Sequence, residues 1–117
     1  MVYTNYNCND LSKRLFMINN VEIGNYHFQT GSLDDAMRYY KKALKLAKSI
    51  PDSIEAKRDM SVSFINLANP YSELGNISKA KSYLENAKIV IRAVLEHYPY
   101  GDFNDILRHI NERLKTI

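Results

Sequence analysis

Apolar residues recur at helical spacing along almost the whole chain, and no run alternates as a strand would. Asn9 or Asp10 is placed to cap a helix reaching about Gln29, with Leu11, Leu15, Ile18, Ile23 and Tyr26 as its apolar positions. Thr30-Gly31-Ser32 breaks the pattern, and Ser32 with Asp35 reads as a capping pair for the next helix. That helix carries Leu33, Ala36, Met37, Tyr40, Ala43, Leu44 and Ala47, all on one face. Ile50-Pro51-Asp52-Ser53 ends it. Asp52 and Glu55 would cap a third helix running toward Leu74, with Met60, Phe64, Leu67, Ala68 and Tyr71 on one side. Gly75-Asn76 turns the chain into a fourth helix bearing Ile77, Ala80, Leu84, Ala87, Ile91 and Val94. His97–Gly101 stops it, and Asp102 with Asp105 would cap a fifth. There Phe103, Ile106, Leu107, Ile110 and Leu114 face inward, and Arg108, Asn111, Glu112 and Lys115 face water. Pro70 sits inside the third helix, where a missing N–H and a ring clash predict a kink or break near Asn66–Pro70. Five helices on short loops predict an all-α fold of antiparallel neighbours.

The pattern also repeats over a longer distance. Gly31 and Gly75 lie 44 residues apart, and the same offset joins Ala36 to Ala80, Ala43 to Ala87 and Tyr39 to Tyr83. It joins Asn25 to Asn69, Gly24 to Ala68, Ile23 to Leu67, Leu33 to Ile77 and Tyr40 to Leu84 as well. Small residues align with small ones because antiparallel helices approach closely only where a side chain is tiny. Gly31 and Gly75 supply the positive φ that ends a helix and reverses the chain.

On these residues the chain resembles the tetratricopeptide repeat family. Ile23-Gly24-Asn25, Gly31, Ala36, Tyr40 and Ala43 follow the family's order, and Leu67-Ala68-Asn69, Tyr71, Gly75, Ala80, Leu84 and Ala87 follow it again. The period of 44 exceeds the usual ~34, and in this it is similar to kinesin-light-chain-type repeats. Asn20 and Phe64 stand where the family's tryptophan would be, and His27 where its tyrosine would be in the first unit. The resemblance implies two antiparallel helical hairpins, residues 10–50 and 51–98. A flexible arm, residues 1–9, would precede them and a capping helix, residues 99–117, would close the stack. It further implies a peptide-binding groove lined by the first helix of each unit. Ile18, Val21, Asn25, Phe28 and Gln29 would come from unit one, and Val62, Ile65, Asn66, Asn69, Ser72 and Glu73 from unit two. Asparagines there would grip a peptide main chain, because an amide both donates and accepts; the same residues also fit a plain polar surface. The groove lacks paired Lys or Arg for a terminal carboxylate.

Composition narrows the function further. A net charge of +3 on 117 residues demands neither nucleic acid nor membrane. Arg38, Lys41, Lys42, Lys45 and Lys48 have the opposite phase to the apolar set, as a solvated face would, though they also suit an acidic partner. One cysteine, Cys8, fits a reducing compartment. No secretory segment opens the chain and no run approaches the ~20 apolar residues of a membrane span. A cytoplasmic location is the expectation. His27, His97 and His109 have no metal-ligand spacing, and no phosphate loop or nucleophile motif occurs. No enzyme, cofactor or metal is expected. The expected activity is protein or peptide binding. Self-assembly, as a homodimer through first-helix or groove surfaces, is the alternative, and a nucleic-acid accessory role is the weaker third.

Overall fold

A computed structural model describes residues 8–50 and 53–117. Among these residues there are five α-helices and no strand: α1 (Cys8–Gln29), α2 (Leu33–Ser49), α3 (Ile54–Glu73), α4 (Ile77–His97) and α5 (Phe103–Thr116). Consecutive helices make the close packing, and the molecule measures 47 × 28 × 17 Å. α1 begins at Cys8, so the last two residues of the expected arm are helical; the rest of the arm lies outside the described residues.

The turns explain the hairpins. Gly31 and Gly75 adopt φ of 85° and 80°, the left-handed region that favours glycine. The Ser32 N–H donates to the His27 carbonyl at 2.8 Å, and the Asn76 N–H donates to Tyr71 at 2.9 Å. These closures satisfy carbonyls that the helix end leaves open. Ser32 and Asn76 share φ −84° and ψ 73°, yet only Asn76 caps its helix, accepting from the Lys79 N–H at 3.2 Å. The expected Ser32/Asp35 pair therefore does not cap, and Asp35 instead receives a hydrogen bond from Arg38. At α3 the cap is Ser53, which accepts from the Ala56 N–H at 3.1 Å, in place of the expected Asp52/Glu55 pair; Asp52 lies outside the described residues. At α5 Asp102 makes no side-chain cap bond, because its carboxylate is turned to Arg58.

The core follows the repeat. Ala36, Tyr40, Ala43, Leu44 and Ala47 are buried from α2, and Ala80, Leu84, Ala87, Ile91 and Val94 from α4. Phe64, Leu67 and Ala68 of α3 pack between them. Completely buried residues such as Leu67, Leu84, Ile91 and Ile110 each contribute about 1.5–3 kcal/mol. Phe103 and Ile110 of α5 are buried against this core, with Ile106, Leu107 and Leu114 beside them, so α5 covers the second hairpin. Arg108, Glu112 and Lys115 face water as expected, while Asn111 is half-buried. Gly24 fits under the Tyr40 ring so closely that a Cβ there would lie 2.7 Å from two ring carbons.

The expected break in α3 does not occur, and one further expectation fails. α3 runs unbroken from Ile54 to Glu73 with buried Pro70 inside it. Pro70 has no N–H to give the Asn66 carbonyl, so that one bond of the ladder is absent, but its ring is buried and the helix continues for three residues beyond it. The apolar positions assigned to α1 are also on the wrong side. Leu11, Leu15, Ile18, Ile23 and Tyr26 are 40–64% exposed. The buried stripe is instead Asp10, Met17 and Gly24, spaced seven apart, with Arg14, Val21 and Phe28 half-buried beside it.

Candidate functional site

Polar side chains join α1, α3 and α5 along one face. Arg14 of α1 donates to Asp59 of α3 through Nε at 2.8 Å and Nη2 at 3.2 Å. Asp59 is only 7% exposed, and the forked guanidinium compensates its buried charge. Arg58 grips Asp102, at the start of α5, through Nε at 3.1 Å and Nη2 at 2.5 Å. The Arg58 hydrogen bond holds the Asp102 carboxyl below the usual aspartate range and raises Arg58 in turn. Further along, Arg113 of α5 donates to the Asn69 side-chain carbonyl at 2.6 Å.

Val62 stands between two shallow clefts on this face. The cleft toward α1, about 220 Å³, is walled by Met17, Ile18, Val21 and Glu22 on one side and Arg58, Asp59 and Ser63 on the other. The cleft toward α5, about 340 Å³, is walled by Ile65, Asp102, Asp105, Ile106 and His109. Both combine an apolar floor with a charged rim. Along α3 the outward stripe is Glu55, Arg58, Val62, Asn66, Asn69 and Glu73, spaced three and four apart.

The sequence-derived residues divide into three groups. Ile65 lines the cleft toward α5, and the half-buried Asn66 lies one turn along α3 from Val62 with its amide in no hydrogen bond among the described residues. Asn25 and Asn69 are already engaged. Asn25 accepts from the buried Tyr40 hydroxyl at 2.5 Å, and Asn69 is held by Arg113. Both bonds use the amide oxygen and leave the amide N–H groups to donate. Phe28 packs against the core; Gln29 is exposed at the end of α1 and Ser72 half-buried near the end of α3.

The face has a third wall that sequence reading assigned only to capping. Asp102, Ile106, His109 and Arg113 lie 44 residues beyond Arg58, Val62, Ile65 and Asn69. α5 thus continues the register of α1 and α3. That offset was the signal that could have found it.

Charge is unevenly divided. α2 and α4 carry nine Lys and Arg against four Asp and Glu, whereas α1, α3 and α5 carry seven of each. The α2 basic stretch is exposed, but several of its cations rest on rings. Lys42 lies 4.9 Å from the Tyr39 centroid, Lys48 5.5 Å from Phe64 and Lys41 5.6 Å from Tyr71. The Tyr71 phenol hydrogen bond raises Lys41, and burial raises Tyr83, whose ring stacks on Tyr71 at 5.5 Å. Among the described residues no group of His, Cys, Asp or Glu could hold a metal ion, and no helix is long and apolar enough to cross a membrane.

A family model for the tetratricopeptide repeat matches residues 19–50 and 62–96, one match on each hairpin. No curated protein and no solved structure matches the chain.

Proposed function

We propose that this chain, which belongs to the tetratricopeptide repeat family, is a protein-binding scaffold whose recognition face is the one built by α1, α3 and α5. Repeats of this family generally mediate protein–protein interactions. The family is typically non-enzymatic. The observation that carries the reading is the pair of open clefts on either side of Val62, with Asn66 unengaged one turn away. An extended segment would set one apolar side chain in each cleft and exchange hydrogen bonds with the Asn66 amide. Glu22 is exposed on the wall of the cleft toward α1 and Asp105 on that toward α5, while Arg14 and Arg58 are neutralised by Asp59 and Asp102. Such a rim suits apolar segments flanked by basic residues, and the cytoplasm is the compartment we assign.

Selection of a displayed random-peptide library on the protein tests the face. Enriched peptides should share paired apolar anchors, and Val62→Glu should abolish their binding while leaving the fold intact. Asn66→Ala should weaken binding by about 0.5–1.5 kcal/mol, the net worth of one hydrogen bond. Enriched peptides that bind Val62→Glu as well as the parent would place recognition elsewhere.

A further inference from the structure

Among the described residues, six of the eleven exposed large hydrophobic side chains lie on α1, most of them on its outer side. Leu11, Leu15, Phe16, Ile23 and Tyr26 are 52%, 64%, 61%, 40% and 64% exposed. At 100° per residue they share one side, opposite the buried Met17–Gly24 stripe. α5, at the other end of the stack, shows water Asn104, Asp105, Arg108, Glu112 and Lys115 instead. A patch like that of α1 marks a contact surface.

We infer that this surface pairs with its own copy, α1 against α1 and antiparallel, about a two-fold axis at Asn19. Three features carry it. The face is self-complementary about Asn19. Leu15 and Ile23 lie four residues to either side and meet across the axis, while Ser12 and Tyr26 lie seven to either side, a small residue opposite a large one. Asn19 is exposed, and an amide on the axis can donate to and accept from its own copy. A single asparagine in an apolar helix seam is also a device that fixes register. Second, charge selects the direction. Glu22 is the one charged residue among these positions. A parallel pairing sets the two Glu22 carboxylates opposite each other; the antiparallel one separates them by about 9 Å along the helix. Third, the area is of the right order. The five side chains expose on the order of 500 Å². A stable dimer buries about 800 Å² per copy, roughly 65% of it apolar in homodimers.

Cysteine cross-linking tests both contact and register. Helices packed 8–10 Å apart, with Cα atoms about 2.3 Å from each axis, bring facing Cα atoms to roughly 3.4–5.4 Å, which at its upper end meets the ~4.4–6.8 Å that a disulfide spans. In a Cys8→Ser background, Asn19→Cys should therefore form a disulfide-linked dimer. Tyr26→Cys should not, because its two copies lie about 21 Å apart along the axis. Sedimentation equilibrium of the unmodified chain at micromolar concentration should give twice 13.6 kDa. Leu15→Glu with Ile23→Glu should weaken association at least about a hundredfold with unchanged helix content. A monomeric mass throughout, or equal cross-linking at 19 and 26, overturns the proposal. So does a monomer that begins to associate only after residues 1–7 are removed, since those residues would then be the cover.

Discussion

In the first hairpin a glycine faces a tyrosine; 44 residues on, an alanine and a leucine stand at the equivalent positions of one core. Gly24 lies under Tyr40, and the equivalent Ala68 and Leu84 are both completely buried. The backbones at the two turns agree within a few degrees, so similar spaces are filled in two ways. What is held constant is the summed volume of the pair, as close packing requires. The polar consequence is larger than the steric one. Tyr40 brings a hydroxyl into the interior, and Asn25 is spent accepting it at 2.5 Å. Leu84 brings none, which leaves the equivalent Asn69 free to accept from Arg113 and tie α3 to α5. One substitution inside a hairpin thus changes which neighbours its asparagine can hold.

Breaking the pairing gives the largest expected effect. Gly24→Ala forces a methyl against the Tyr40 ring at 2.7 Å, and overpacking of this kind costs about 1–3 kcal/mol. Relief of the glycine entropy penalty offsets up to about 1 kcal/mol. A net loss is expected in urea unfolding. Adding Tyr40→Leu, which recreates the second hairpin's pairing, should recover most of it, and additive losses would refute the shared-volume reading.

A sharper contrast lies at the helix starts. Ser32 and Asn76 have the same backbone angles, but only Asn76 caps. Asn76→Ala should cost about 1 kcal/mol and Ser32→Ala a few tenths at most, measured side by side by thermal unfolding. Equal losses would mean that both side chains cap in solution.

The smallest effect concerns the link between units. Asp102 has its pKa lowered by Arg58, so the pair's contribution is complete above the ordinary aspartate value of about 4 and is lost as pH falls below it. Both side chains are more than 40% exposed, which limits the contribution to well under about 1 kcal/mol. Asp102→Asn should therefore lower stability slightly at pH 7 and converge with the parent at pH 2. A difference that persists undiminished at pH 2 would show that the ion pair is not its source.

The repeat was legible because small residues report their own requirement. Gly31, Gly75, Ala36, Ala80, Ala43 and Ala87 each mark a place where the backbone turns or a neighbour comes close, and all stand where expected. The inward side of α1 was not legible. Its buried stripe contains Asp10 and Gly24, which carry no apolar signal, while its outer side is rich in leucine, isoleucine and aromatics. Periodicity locates an apolar stripe and is silent on whether the chain's own core or another surface covers it. The candidate face was half legible for a related reason. The position of Asn25 and Asn69 follows from the offset, but their occupancy depends on Tyr40 and Arg113, residues distant in sequence. The capping pairs were only partly legible: Asp102 turns its carboxylate to Arg58 in place of the helix end, Asp35 bonds Arg38 in place of reaching back to Ser32, and at α3 the cap is Ser53.

The stack of consecutive contacts also bears on the order in which the protein assembles. Each helix leans chiefly on its neighbours in sequence, so little loop entropy must be overcome before a contact forms. Low contact order of this kind goes with fast folding, and a hairpin can close while the rest of the chain is still being synthesised. The α1–α2 pair needs nothing downstream to meet. The face that unites α1, α3 and α5 is different, because Asp102, Ile106 and Arg113 belong to the last of the five helices to be made. A chain emerging from the ribosome acquires its hairpins one at a time and its third wall after both of them.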